Sequence, residues 1–470
     1  MESKNYGRQQ FVVLFACALL LASCQSFVSP KSQAGWEHLP KIIAQIKAPV
    51  FPERDFDITD FGAKTGGKTK CTEAIKKAIS ACNKAGGGRV VVGAGTFLTG
   101  PIHLKSNVNL HISEGATLLF STDYEDYLPQ VLVRWEGVES MNLSPLIYAW
   151  KCENIGITGK GTINGQGSAW WKWRGGKKTG PYRISNRKSV EWGEKGVPVK
   201  DRIQGTDKDF HWCPTFIAPM HSKNILIEGL TIIDSPFWNL NPVYCENVTI
   251  RGLTIDNAGP NGDGCNPDSC KNVLIEDCHF NTGDDCIAIK SGKNRDGRRI
   301  NIPSENIIIR NCKMNNGHGG VVIGSEMSGG VRNVYAENCV MDSPKLARAL
   351  RIKTNSERGG FVENVYMRNV KVGQVADAVF KVNFLYGKVS KGDFIPWLRN
   401  VNIENVTSNK SKYGIYIDAL RDSPATDITI KNCTFKNAGK GNRFNNVKNV
   451  VLEKVKINDE IFNKTINPTL

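Results

Sequence analysis

Short apolar stretches, each opened by asparagine and followed by two or three polar residues and another apolar pair, recur along the second half of the chain. The phrase is Asn-(Ile/Val)-x-(Ile/Leu/Met), with small variations. It starts at Asn224, Asn247, Asn272, Asn306, Asn333, Asn364, Asn400 and Asn449, and at Asp427 with aspartate in the same place. The gaps between these starts run from 22 to 36 residues. Each repeat holds two short β-branched strands separated by Gly, Asn or Asp turns. That is too short for a propeller blade and has no helical period. The pattern predicts an all-β chain wound as a right-handed parallel β-helix, one repeat per coil, with coils about 4.8 Å apart. The repeated Asn is expected to stack in a turn and bond the backbone of neighbouring coils. Residues 72–85 form one clear amphipathic helix, with Ala74, Ile75, Ala78, Ile79 and Cys82 on its apolar face. Thr72 is expected to cap it and Gly86 to end it. An exposed coil edge needs covering, so this helix is read as an N-terminal cap.

The N-terminus has a different pattern. Lys4 and Arg8 precede an apolar run from Phe11 to Leu21, followed by Leu21-Ala22-Ser23-Cys24. The run is too short to span a bilayer and suits a signal peptide over residues 1–23. Small residues before a cysteine resemble a bacterial lipobox, which makes Cys24 the expected lipidation site. Gln25 is not aspartate, which points to the outer membrane, facing the periplasm; the alternatives are the cell surface or simple secretion. Fatty-acid labelling of Cys24 tests the anchor. Residues 24–54 read as an anchor and lead-in, and 55–470 as a single catalytic β-helix. Insertions are expected at about 120–153 and 164–222. The second holds Trp170, Trp171 and Trp173 among Lys172, Arg174, Lys177, Lys178, Arg183, Arg187 and Lys188. Insertions of that length are usually functional.

Composition narrows the choice of partner. The chain of 470 residues has a formal net charge of +16. An acidic polymer, a nucleic acid or an anionic membrane would suit that balance. Export argues against nucleic acid. Of 14 cysteines, Cys17 and Cys24 belong to the leader. The other 12 allow disulfides in an oxidising compartment. Cys152, Cys245, Cys278, Cys312, Cys339 and Cys433 each sit beside an apolar strand pattern, which favours stacked buried thiols.

Candidate chemistry lies at similar offsets in successive coils. Asp263 is 16 residues after Asn247, Asp284 is 12 after Asn272, His318 is 12 after Asn306 and Arg351 is 18 after Asn333. Asp285 adjoins Asp284, and Lys353 alternates with Arg351 so that both cations point the same way. Three carboxylates, an imidazole and two cations are therefore expected on one patch. Crowded acids raise at least one pKa and keep a proton available for glycoside hydrolysis. The Arg/Lys pair suits a substrate carboxylate.

The set Asn261-Gly262-Asp263, Gly283-Asp284-Asp285, Gly317-His318-Gly319 and Arg351-Ile352-Lys353 resembles the polygalacturonase family of glycoside hydrolases, family 28. DGCNPDSC (263–270), GDDCIAIKSG (283–292), SPFWNLNPV (235–243), FDITDFGAK (56–64) and FLTGPIHLKSNV (97–108) resemble it too. The resemblance covers roughly residues 55 to 460. It implies a pectin-lyase-like β-helix and single-displacement, inverting hydrolysis of α-1,4-galacturonosyl bonds without a metal or other cofactor. Asp284 would be the general acid, Asp263 and Asp285 would position and deprotonate water, and His318 would hold the protonation of the acid. Arg351 and Lys353 would bind a galacturonate carboxylate, with Asn261 beside the substrate. Two departures stand out. The usual Asn-Thr-Asp reads Asn261-Gly262-Asp263, and Asn241 stands where many relatives carry histidine, which puts a substrate contact in doubt.

The partner implied is a pectic oligo- or polysaccharide, and a monomer is expected. Long additions on the N-terminal side of the catalytic coils can wall off one end of the groove, so exo action from the non-reducing end is expected. The alternatives are an endo-acting or rhamnogalacturonan-type hydrolase, a pectate-lyase-like eliminase using calcium, and a noncatalytic polysaccharide-binding protein.

Overall fold

The computed structural model describes residues 35–174, 181–204, 212–389 and 391–467. The leader and Cys24 lie outside the described residues. From Gly35 onward the chain winds into a right-handed parallel β-helix. Its main wall contains Lys223–Glu228, Glu246–Arg251, Lys271–Glu276, Ser304–Arg310, Val331–Glu337, Phe361–Arg368, Trp397–Glu404, Ala425–Lys431 and Val447–Ile457, each pairing in parallel with the next. Register is kept throughout. Ile225, Val248, Val273, Ile307, Val334, Val365, Val401, Ile428 and Val450 stack in one interior column, all at most 1% exposed. Burying each side chain stabilises the fold by about 1.5–3 kcal/mol relative to leaving it in water.

The repeated asparagines do form a ladder, but of a different kind from the one expected. Each Nδ2 donates to the Oδ1 of the preceding asparagine side chain, not to backbone. The chain of bonds runs through Asn107, Asn154, Asn224, Asn247, Asn272, Asn306, Asn333, Asn364 and Asn400 at 2.7 to 3.2 Å. Asn449 donates to Asp427 at 2.7 Å. Every one of these residues has a positive φ, between 54° and 63°, a conformation that asparagine tolerates better than most residues. The ladder extends two coils upstream of the recognisable repeats.

A second wall carries the site. Ile287–Ile289, Val321–Gly324, Arg348–Lys353, Ala378–Asn383, Tyr413–Asp418 and Asn442–Asn445 pair in parallel. Upstream, the same wall continues through single bridges to Cys265 and Asp268, then Leu240 and Val243, then the strands Ile217–Met220 and Ile147–Trp150.

The helix Thr72–Lys84 packs its five predicted apolar residues against the first coils. Thr72 is not its N-cap. Cys71 holds that position without a side-chain bond, and the Thr72 hydroxyl instead accepts from the Gly100 N–H at 2.7 Å. Ile147–Trp150 belongs to a coil, so the first insertion is chiefly the antiparallel hairpin Val131–Trp135 and Val138–Asn142. The second insertion contains the 15-residue helix Pro181–Lys195, so helix is more abundant than the cap alone would supply. A helix, Leu39–Gln45, also lies in the lead-in, where Trp36 packs edge-on against Tyr335 and Tyr366 and under Arg368. All 12 described cysteines are buried, and none of them forms a disulfide.

Asn306→Ala removes two ladder bonds and places alanine at a positive φ. Stability is expected to fall by about 2–4 kcal/mol. Asn306→Gly should cost less, because glycine accepts the backbone angle. Denaturant midpoints check this, and equal losses for the two variants would deny the conformational part.

Candidate active site

Turns at the edge of the second wall bring the acids together. The coil is locked there by backbone bonds from Gly264 N–H to Asp285 C=O at 3.0 Å and from His318 N–H to Asp284 C=O at 3.1 Å. Gly317 has φ 133°, and a Cβ there would lie 2.3 Å from the Asp284 carbonyl oxygen. Glycine is therefore required beside the histidine. At Gly262 a Cβ would lie 2.6 Å from the Gly259 carbonyl oxygen. The loss of the family's threonine thus has a steric reason in this chain.

One carboxylate oxygen from each of Asp263, Asp284 and Asp285 lies within 4.8 Å of the others. His318 Nδ1 is 2.8 Å from Asp284 Oδ1. Lys353 Nζ donates to Asp285 Oδ2 at 2.6 Å, and Arg351 approaches Asp285 Oδ1 at 3.7 Å. The structure therefore brings all six predicted side chains to one patch. They line a cavity of about 690 Å³ together with Asn261. Asn261 Oδ1, Asp285 Oδ1 and Arg351 Nε are buried without a hydrogen-bond partner among the described residues. Buried polar atoms are rarely left unsatisfied, and these three belong to residues that line the cavity.

The charges are tuned unequally. Burial, reinforced by the Asp284 charge, pushes the Asp263 carboxyl well above the usual range. Burial acts on Asp284 too, but the His318 hydrogen bond and the Lys353 charge outweigh it and hold Asp284 down at about 2. The same hydrogen bond raises His318 above the ordinary imidazole value, against a smaller opposing effect of burial. The tuning therefore favours the protonated forms of Asp263 and His318 and the ionised form of Asp284. An acid cluster this tight could also attract a divalent cation. The Lys353 ammonium already occupies the cluster, and Lys290 Nζ stands 3.9 Å from Asp263, so the donor set is neutralised by the protein's own cations.

Several lining residues were not singled out from the sequence. Lys290 is buried between Asp263 and Glu326, 3.0 Å from the latter, with its ammonium 4.5 Å from the Trp238 ring centroid. Burial pushes Glu326 upward, yet Lys290 and Lys293 hold it well below the ordinary carboxylate range. Arg348, Arg358 and Tyr386 also line the cavity. Lys290 lies inside the phrase GDDCIAIKSG, two residues past Ala288, so the strand alternation was its signal. Tyr386 opens the short 3-10 turn Tyr386–Lys388, outside the strand alternation, and has no such signal. From the insertions, Glu136, Arg183 and Asn186 reach the cavity. Lys172 and Arg187 lie on the outer surface; Lys177 and Lys178 lie outside the described residues. Trp170 is buried, and Trp171 donates to the Ser235 carbonyl at 3.1 Å. Asn241 is buried and donates to the Asn266 carbonyl at 2.9 Å, away from the catalytic cavity. Lys353, expected chiefly as a substrate contact, is largely committed to Asp285.

The profile of the glycosyl hydrolases family 28 matches residues 82–202 and 201–456. The chain belongs to this family. It is 41% identical to a hyperthermoactive exopolygalacturonase from Thermotoga maritima, whose crystal structure superimposes with a TM-score of 0.87 over 92% of this chain and 98% of that one. It is 32% identical to a probable polygalacturonase of Vitis vinifera, covering 82% of this chain and 75% of the relative. It is 28% identical to the exo-poly-alpha-D-galacturonosidase of Dickeya chrysanthemi, covering 84% and 74%. The family 28 chain is thus a glycosidase of the polygalacturonase type, and the patch of acids is its candidate catalytic centre.

The Asp284 bond is what raises His318, so Asp284→Asn should move the His318 titration to lower pH. NMR titration of the labelled imidazole measures it. An unmoved midpoint would mean that the two side chains are not coupled in solution.

Proposed function

We propose that the chain is an exo-acting galacturonidase that releases monogalacturonate from the non-reducing end of homogalacturonan fragments by single displacement. The observation carrying the exo reading is the hairpin Val131–Asn142. It lies on the second wall just upstream of the acids, against Ala218, Met220, Asn241 and Val243, and leaves a void of only about 10 Å³. Trp135 stacks on Trp212 at 4.1 Å, and Arg134 forms a fully buried pair with Asp268 at 2.9 Å. On this reading the hairpin fills groove floor that would otherwise hold sugars beyond the scissile unit. The hairpin tip reaches the catalytic coils, where Glu136 pairs with Lys293 at 3.4 Å. A pocket closed on that side takes a chain end.

The chemistry follows from the charge pattern. A galacturonate carboxylate entering beside Arg351 finds an unpaired guanidinium Nε and screens the field of Lys353. That field helps to keep Asp284 ionised, so substrate binding raises the proton affinity of Asp284. The His318 proton then crosses the 2.8 Å bond, and Asp284 passes it to the leaving glycosidic oxygen. Asp263 holds the attacking water and Asp285 accepts its proton. The leaving group departs towards the downstream coils.

Asp284→Asn keeps the shape and removes the transferable proton. kcat is expected to fall by about 10²–10⁴ with KM little changed. On long homogalacturonan, monomer should appear first while viscosity barely changes. Early di- and trimers with a rapid fall in viscosity would identify an open groove and an endo enzyme, and ultraviolet-absorbing unsaturated ends would identify an eliminase.

A further inference from the structure

The outward column that contains Arg351 does not stop at the catalytic cavity. In the parallel register Arg351 lies beside Lys381, Lys381 beside Tyr416, and Tyr416 beside Arg443. Their neighbours Ile352, Val382 and Ile417 turn inward and are buried. The four outward residues thus form a stripe on one face, about 14 Å long at the usual coil spacing. Lys381 Nζ lies 4.3 Å from the Tyr416 ring centroid, and the Arg443 guanidinium 5.5 Å from the same ring. Tyr413 meets Tyr416 edge-on at 5.0 Å.

Cations outnumber acids here. Asp377 is shared by Arg348 and Lys381, each at 2.7 Å. Asp418 is 3.6 Å from Arg443 and accepts from Tyr416 and Asn445. Lys381 and Arg348 are both held below their ordinary pKa, first by burial; Asp377 opposes the shift in each, and the charge of neighbouring cations, including Arg351, adds to it. An anion laid along the stripe would relieve that repulsion. The hairpin covers the upstream wall, whereas Arg443 at the downstream end is half exposed.

We propose that Lys381, Tyr416 and Arg443 form an extended binding track for the leaving-group side of a polyuronate chain, so that the enzyme selects acidic oligosaccharides longer than a disaccharide. This rests on the galacturonidase reading above. Lys381 and Arg443 meet successive carboxylates, and the tyrosine gives apolar surface to the sugar rings between them. The contacts lie beyond the scissile bond and act on binding, not on the proton transfers.

The experiment compares Lys381→Met, Arg443→Met and the double variant on digalacturonate and pentagalacturonate. Methionine keeps an unbranched, flexible stem and removes the charge. For pentagalacturonate, kcat/KM of the double variant should fall about tenfold or more, and for digalacturonate it should stay within about twofold. Equal falls on both substrates, or no fall on either, would overturn the track. Calorimetry of pentagalacturonate binding to Asp284→Asn, with and without the two methionine changes, reads the stripe without turnover. A loss of about tenfold supports it and unchanged affinity overturns it. If the wild-type enzyme cleaves neither oligomer, the galacturonidase reading fails by itself, and the calorimetry still decides the stripe.

Discussion

A parallel coil that slips by one residue against its neighbour turns every outward side chain inward. In this molecule the catalytic patch is assembled from four successive coils, so register is the constraint on which the site depends. Two devices fix it. The interior column of Ile and Val allows only every second residue to face in. In the asparagine ladder one residue of each coil, held at positive φ, bonds its counterparts above and below. Each bond contributes only about 1 kcal/mol net, but a slip would break bonds on both sides of the displaced coil. Asp263, Asp284, His318 and Arg351 stand together because their coils cannot move past one another.

Placing three carboxylates together is costly unless cations share the space. Lys353 touches Asp285, and Lys290 stands between Asp263 and Glu326. The arrangement tunes the groups unequally: Asp263 and His318 are pushed towards their protonated forms and Asp284 towards its ionised form. In the proposed mechanism a negatively charged substrate is then more than a ligand, since its carboxylate shifts the balance towards a protonated Asp284. The hairpin and the Trp-rich insertion complete the site from outside. Trp171 packs on Gly259, where a Cβ would lie 2.3 Å from the indole, and so connects the insertion to the turn that carries Asp263.

The sequence displayed the coils and the catalytic set because both are periodic. Asn at each coil start, Asp and His at matching offsets and the alternation of Arg351 with Lys353 all leave a one-dimensional trace. Contacts made by insertions leave none. Nothing in the chain order tells that Arg134 would bury against Asp268, or that Glu136 would meet Lys293, because those pairs are separated by more than a hundred residues and follow from how a hairpin folds back. The division of labour between Arg351 and Lys353 was also invisible, since alternation gives the direction of a side chain and not its partner. The bonding of the amide ladder is illegible for a related reason: the repeat places the asparagines one above another, but whether they bond backbone or each other depends on the turn.

The spacing of the acids makes the stereochemistry of the reaction a sharp test of this account. Inverting glycosidases usually hold their two carboxyl groups about 6.5–9.5 Å apart, and retaining ones about 5–5.5 Å. Here the nearest oxygens lie within 4.8 Å, yet the proposed chemistry is a single displacement in which Asp263 and Asp285 share one water. Proton NMR of the first product released from a galacturonate oligomer, read before mutarotation, decides between them. The account predicts a new reducing end with β configuration from the α-linked substrate. An α-configured product would contradict it, and would mean that one of the three aspartates attacks the sugar directly.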